Sequence, residues 1–180
     1  KGTQMPPQVD SRIMSLFGSF WTAGSLKNLC QAGADSITYY ETAGERGIFQ
    51  GDADPSWPLQ FPSEKGMIFP VFHVFRFLLT HKQLSLVRCA SSRPLVADCL
   101  ALSDGKQGHL LLVNYTGTRQ KIKLECCAGL MRIRSLCSEN YPEAAYDNRW
   151  TGIKNEKIVK TQESFEIEPF SLNFMEGWLK

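Results

Sequence analysis

The apolar residues of this chain change period near residue 82, and one simple layer cannot accommodate both patterns. Before that point they recur at helical spacing, and after it they alternate. Asp10-Ser11 offers an N-cap, and Ile13, Leu16, Phe17, Phe20 and Trp21 then fall on one predicted helix face. The stripe does not survive Gly24, because Leu26, Leu29 and Cys30 point to another side. The spacing therefore predicts a kink or two abutting helices around residues 22–25, stopping at Ala32-Gly33. The β-branched and aromatic run Ser36-Ile37-Thr38-Tyr39-Tyr40 predicts a strand. A segment rich in Gly, Pro and Asp follows from Thr42 to about Gly66, and loops of that length in compact domains are usually functional or disordered. Ile68, Val71, Phe72, Phe75, Leu78 and Leu79 predict a second helix, with Pro70 tolerated in its first turn.

Beyond residue 82 the pattern predicts strands near 84–89, 95–102, 109–115, 118–125, 130–137, 157–159, 164–167 and 170–175. Asp104-Gly105 and Thr116-Gly117 read as hairpin connections. Alternation of Phe170, Leu172 and Phe174 predicts a last strand with one buried and one solvated face. Eight short strands in this half predict an antiparallel β-sandwich. In the first half, one strand between two helices cannot close a sheet alone. A (β/α)8 barrel takes roughly 250 residues, so the expected fold is α/β plus all-β. On this reading residues 1–82 are the last β/α units of a barrel of that kind. Residues 83–180 are an appended β-sandwich, and the start at Lys1 reads as a chain excised from something longer.

Composition narrows the function. A net charge of +2 with no basic stripe gives nucleic acid and anionic membranes no electrostatic support. No apolar run approaches the roughly 18 residues of a membrane span, and the first residues lack the order of a secretory signal. Cys30, Cys89, Cys99, Cys126, Cys127 and Cys137 show no C-x-x-C spacing, and several sit in apolar runs. Reduced structural thiols in the cytoplasm are the expectation, without a metal site. No G-x-S-x-G, phosphate loop or H-E-x-x-H is present, and no cofactor is expected. Asn114-Tyr115-Thr116 fits a glycosylation acceptor, which matters only in a secreted chain.

Candidate chemistry concentrates in Thr38-Tyr39-Tyr40-Glu41-Thr42-Ala43-Gly44-Glu45-Arg46-Gly47. If residues 36–40 are a barrel strand, Glu41 and Thr42 stand at its C-terminal end, where barrel enzymes keep their sites. Alternation puts Tyr39 and Glu41 on one side and Tyr40 and Thr42 on the other. A carboxylate there can act as general acid or base, and Arg46 can meet a carboxylate or a developing oxyanion. The bland alternative is that Glu41 and Arg46 pair with each other and pin the loop. Tyr39, Tyr40, Thr42 and Trp57 are candidate substrate contacts. Trp57, between Pro55 and Pro58, is expected to be exposed, whereas Trp21 is expected in the core. His73, His81 and His109 read as packed or capping residues. Glu139 and Glu143 read as solvated loop charges.

Four stretches together resemble the C-terminal part of the D-apionate lactonase family: Ser19-Phe20-Trp21-Thr22-Ala23-Gly24-Ser25-Leu26-Lys27, the run from Ser36 to Thr42, Arg46-Gly47, and Phe69-Pro70-Val71-Phe72-His73-Val74. The similarity covers roughly residues 6–80. Over the strand-rich half it is architectural, with Glu168-Pro169-Phe170-Ser171-Leu172 resembling the final strand of accessory domains. The resemblance implies a glycoside-hydrolase-like barrel followed by a β-sandwich, and hydrolysis of apionolactone to its acid in bacterial apiose catabolism. Its implied partners are a small carbohydrate or sugar lactone and the remainder of the barrel, without which this chain is expected to be inactive. Glu41 and Arg46 are the catalytic candidates it leaves. A glycoside hydrolase fragment is one alternative, needing a second carboxylate from another strand. The other is a non-catalytic carbohydrate-binding module, for which Trp150 and Trp178 are the large platforms available in the second half.

Overall fold

A computed structural model describes residues 4–179. Asp10 caps a 3-10 helix, Ser11–Met14, its side chain accepting from Arg12 N. Ser15 is extended and separates that turn from α1, Leu16–Gln31. Helix α1 then runs unbroken through residues 22–25, so the break lies seven residues earlier than the spacing predicts. Gly24 has a packing reason rather than a kinking one. A Cβ there would stand 2.6 Å from the Tyr115 hydroxyl, so glycine lets that side chain lie against the helix. The buried face of α1 is Ser19, Phe20, Thr22, Ala23, Leu26 and Lys27. Phe17 and Trp21, expected inside, are 50% and 56% exposed.

Helix α2, Pro70–Thr80, starts on its proline and buries Val71, His73, Val74 and Phe77, while Leu79 faces solvent. The helix forms as predicted, but its inner face is rotated from the expected stripe. No strand forms over residues 36–40, because no neighbouring strand offers a ladder there; the segment is irregular.

All eight predicted strands form: β1 Ser85–Val87, β2 Ala97–Ser103, β3 Gln107–Asn114, β4 Gln120–Ile122, β5 Cys127–Leu136, β6 Lys157–Lys160, β7 Phe165–Ile167 and β8 Ser171–Leu179. A four-residue helix, α3 (Tyr141–Ala144), and a 3-10 turn at Ile153–Asn155 join β5 to β6. The pairing is antiparallel throughout these strands, in a six-stranded sheet ordered β1-β2-β3-β8-β5-β6 and a two-stranded ribbon, β4-β7. The fold is thus helices with a mostly antiparallel sheet. Asp104-Gly105 makes the expected β2–β3 hairpin. Thr116-Gly117 instead carries the chain out of the large sheet, because β4 pairs with β7 and not with β3.

Two apolar cores lie against the large sheet. Phe20, Ala23 and Leu26 of α1 and Val74 and Phe77 of α2 meet Leu100, Leu111, Val113, Leu136 and Leu172. Ala101, Leu110, Leu112, Met131, Ile133 and Met175 meet Ile167 and Ile122 of the ribbon. Strand β8 is therefore central and covered on both faces, with Leu172, Asn173 and Met175 all buried. The solvated face predicted for it does not exist. The helical and strand-rich segments share the first core, and a buried ion pair joins them, Lys27 Nζ to Asp98 Oδ2 at 2.8 Å. A third cluster, Val9, Ile13, Phe61, Phe69 and Val71, lies beneath the long loop. All six cysteines are free thiols. Asn114 is fully buried and its amide holds Thr118 O and Glu168 O, each at 2.8 Å, so it serves the fold and offers no glycan site.

Candidate functional site

Helix α1 positions the segment carrying the candidate residues. Tyr39 and Ser25 share a hydrogen bond of 2.6 Å. The Thr22 hydroxyl donates to Gly18 O, so at 2.7 Å the Tyr40 hydroxyl donates to Thr22 Oγ1. Both tyrosine rings lean on Phe75 of α2, with centroids 6.1 and 6.2 Å away. The alternation expected of a strand fails here, since both hydroxyls reach the same helix. Tyr40 sits at φ 41°, a left-handed conformation rare outside glycine. Burial pushes its phenol pKa up, with the Thr22 hydrogen bond opposing.

Directly after this residue the chain folds into a compact loop. Glu41 N donates to Arg46 O at 2.9 Å, Gly47 N to Gly44 O at 2.8 Å, and Ile48 N to Thr42 O at 3.2 Å. Gly47 is obligatory, because a Cβ would stand 2.6 Å from the Ala43 backbone. The loop is tied to α2 by Phe69 N donating to Ile48 O at 3.1 Å. It brings Glu41 and Arg46 into an ion pair whose side chains are 53% and 49% exposed. Thr42 beside them is exposed. Glu45 Oε1 accepts from Ser56 N at 2.5 Å, which fastens the Trp57 segment to the loop. Trp57 itself turns inward. It is half-buried on the third apolar cluster, its Nε1 buried without a hydrogen-bond partner, and so is not the exposed platform the flanking prolines suggest.

The exposed platform is Trp21. With Phe17, Ile13, Tyr40 and the Asp10–Arg12 ion pair it lines an open cleft of about 400 Å³ next to Glu41 in sequence. The spacing puts Trp21 on the predicted inner face because Phe17 lies four residues before it. The alternative stripe of Ser19, Thr22, Ala23 and Leu26 was the signal for the buried face. Glu41 and Arg46 are together, Tyr39 and Tyr40 are together beneath them, and Trp57 belongs to the core. Among the described residues no group of three or more His, Cys, Asp or Glu side chains could hold a metal ion, and no helix is long and apolar enough to cross a membrane.

Two helices and a structured loop packed on a mostly antiparallel sheet define the fold. It matches a conserved exported protein from Bacteroides fragilis, with TM-score 0.59 and 14% identity over 98% of this chain and 36% of that one. It also matches a β-porphyranase of glycoside hydrolase family 86 from Bacteroides plebeius, with TM-score 0.52 and 15% identity over 100% of this chain and 33% of that one. The chain thus spans about a third of the length of the solved structures it matches. No curated protein matches its sequence. Residues 1–83 match the family described as D-apionate lactonase, TIM barrel domain.

Proposed function

We propose that the chain is the C-terminal portion of a sugar-lactone hydrolase, with residues 1–82 as the last β/α units of its barrel. Residues 83–180 are then its accessory β-sandwich, the β4–β7 ribbon serving as the second sheet. The single observation that carries the reading is the family match over residues 1–83, the segment that holds Glu41 and Arg46. The coarser class, a carbohydrate-active hydrolase, is further supported by the fold shared with the porphyranase.

In this mechanism the Glu41 carboxylate, open to water, takes a proton from the water that attacks the lactone carbonyl. Arg46 steadies the charge on the tetrahedral oxyanion, and Glu41 then returns the proton to the leaving ring alkoxide. The substrate separates Glu41 from Arg46 and takes the arginine's donors. Tyr39 and Tyr40 set the loop's position from below, Thr42 offers a hydroxyl beside the reacting ring, and Trp21 supplies an apolar face. Trp57, half-buried on its cluster, acts only by holding the loop.

Glu41→Gln in the longer enzyme keeps the side chain's shape and removes the proton carrier. Turnover is expected to fall roughly 100-fold or more, while the melting temperature stays nearly constant, since an exposed pair contributes less than about 1 kcal/mol. Unchanged turnover per folded molecule would reduce Glu41 and Arg46 to a loop pin.

A further inference from the structure

A second cleft, of about 380 Å³, lies along the C-terminal part of α2 and shares no residue with the loop around Glu41. Three arginines line it, Arg76, Arg134 and Arg149, and no carboxylate does. Arg76 donates to Asn148 O at 2.8 Å and to Trp150 O, so it holds the cleft's outer wall in place. Its pKa is pulled down by burial first, Asp147 opposing and Arg134 adding to the fall. Arg134 donates to Glu176 Oε1 at 3.3 Å, outside the lining. Its Nε is buried with no hydrogen bond, Glu156 Oε2 standing 3.7 Å away. The Arg149 guanidinium has no ion-pair partner among the described residues.

The remaining lining is aromatic and polar. Trp150 and Phe174 lie edge to face with centroids 6.5 Å apart, and Phe77 stands 5.9 Å from Phe174. Thr80, Thr151 and Asn148 bring hydroxyl and amide groups to the rim. His73 is 1% exposed and also lines the cleft. Its Nε2 lies 3.2 Å from Ala144 O and must donate there, which leaves Nδ1 as a buried acceptor without a partner.

We infer that this cleft binds a sugar bearing an oxyanion, its charged group held by Arg149 and Arg134 and its ring laid against Trp150 and Phe174. Planar guanidinium forks match a carboxylate or ester oxyanion in pairs of hydrogen bonds, an aromatic wall suits the apolar face of a pyranose, and a sugar hydroxyl supplies the donor that His73 Nδ1 lacks. Carboxylate and sulfate-ester sugars share this chemistry. The inference does not rest on the role proposed for Glu41.

The test titrates the full chain, observed by NMR, with galacturonate, galactose 6-sulfate, galactose and inorganic sulfate. Either anionic sugar should bind at least about tenfold more tightly than galactose, and whichever of the two is tighter identifies the oxyanion. Raising the salt to roughly 0.5 M should weaken that binding. Arg149→Glu should abolish it and Arg149→Lys should keep part of it, both at unchanged melting temperature because Arg149 is exposed. Glu41→Gln should leave it intact, which separates this inference from the catalytic reading. Equal affinity for galactose, binding of inorganic sulfate alone, no binding of any probe, or indifference to Arg149→Glu would each overturn it.

Discussion

Lys27 and Asp98 carry the sharpest test of how the helices are fastened to the sheet. Their side chains are only 8% and 5% exposed, and the Nζ–Oδ2 distance is 2.8 Å. Asp98 Oδ1 also accepts from Cys99 N at 2.9 Å. Asp98→Asn preserves the shape and that second bond while leaving the lysine without its counter-charge. Breaking a buried pair in this way costs about 3–5 kcal/mol, a large share of the roughly 5–15 kcal/mol that holds a domain together. At about 2–4 °C per kcal/mol for a chain of this length, the melting temperature should fall by about 10 °C. Lys27→Met should cost a similar amount, whereas Lys27→Met with Asp98→Asn removes both charges, keeps the bond from Cys99 N, and should recover most of the loss. The assay is urea denaturation of all four proteins, read as a double-mutant cycle, with a coupling energy above about 2 kcal/mol expected. A loss below about 1 kcal/mol for Asp98→Asn, or additive single losses, would refute the view that this pair is desolvated and mutually dependent.

Two further outcomes follow from packing and burial. Gly24→Ala should destabilise the fold by about 1–3 kcal/mol, through the Tyr115 hydroxyl 2.6 Å from the new methyl, and adding Tyr115→Phe should restore most of it because the next ring atom is 3.5 Å away; thermal melts of the three proteins check this. Burial, with Arg76 adding to it, lowers the His73 pKa from 6.5 to about 4, so within that window the unfolded chain binds a proton the folded chain does not. Stability should therefore fall as pH drops from about 6.5 towards 4, by up to about 3 kcal/mol. His73→Phe should flatten that slope in urea melts run across the same pH range.

Period and turn chemistry were enough to locate the strands and to identify both long helices, because each signal is local. Alternation marks a strand whatever it pairs with, and Pro70 fixes a helix start by its own geometry. Which face of a helix is buried is not local. Phe17 and Trp21 look as fit for burial as Ser19, Thr22, Ala23 and Leu26, and the choice was made by Tyr115 and Asp98 arriving from more than seventy residues away. The ribbon was hidden for the same reason, since Thr116-Gly117 looks like any hairpin until β7 competes for β4. At the candidate site, Glu41 and Arg46 were legible as neighbours in sequence. Their aromatic company was not, because Trp57 is drawn inward onto the cluster of Phe61 and Phe69.

The segment from Ser36 to Glu41 shows most clearly how local preference and tertiary context divide the work. It has the side chains of a strand, and its peptide groups up to Tyr40 have no backbone partners among the described residues. Ser36 and Thr38 are exposed, so water can satisfy those groups. Without a ladder, the segment is held by its side chains instead: Tyr39 on Ser25, Tyr40 on Thr22, and both rings on Phe75. The consequence reaches the carboxylate. A paired strand needs φ near about −120°, whereas Tyr40 stands at 41°. Entry of neighbouring strands on either side would therefore require Tyr40 to leave the left-handed region and release Thr22. That rotation would restore the alternation of Tyr39 with Tyr40 and re-aim Glu41 one residue later. The exposed Glu41–Arg46 pair is thus the arrangement of an unpaired segment, and under the proposed barrel reading a ladder beside residues 36–40 would reset the direction of the Glu41 side chain.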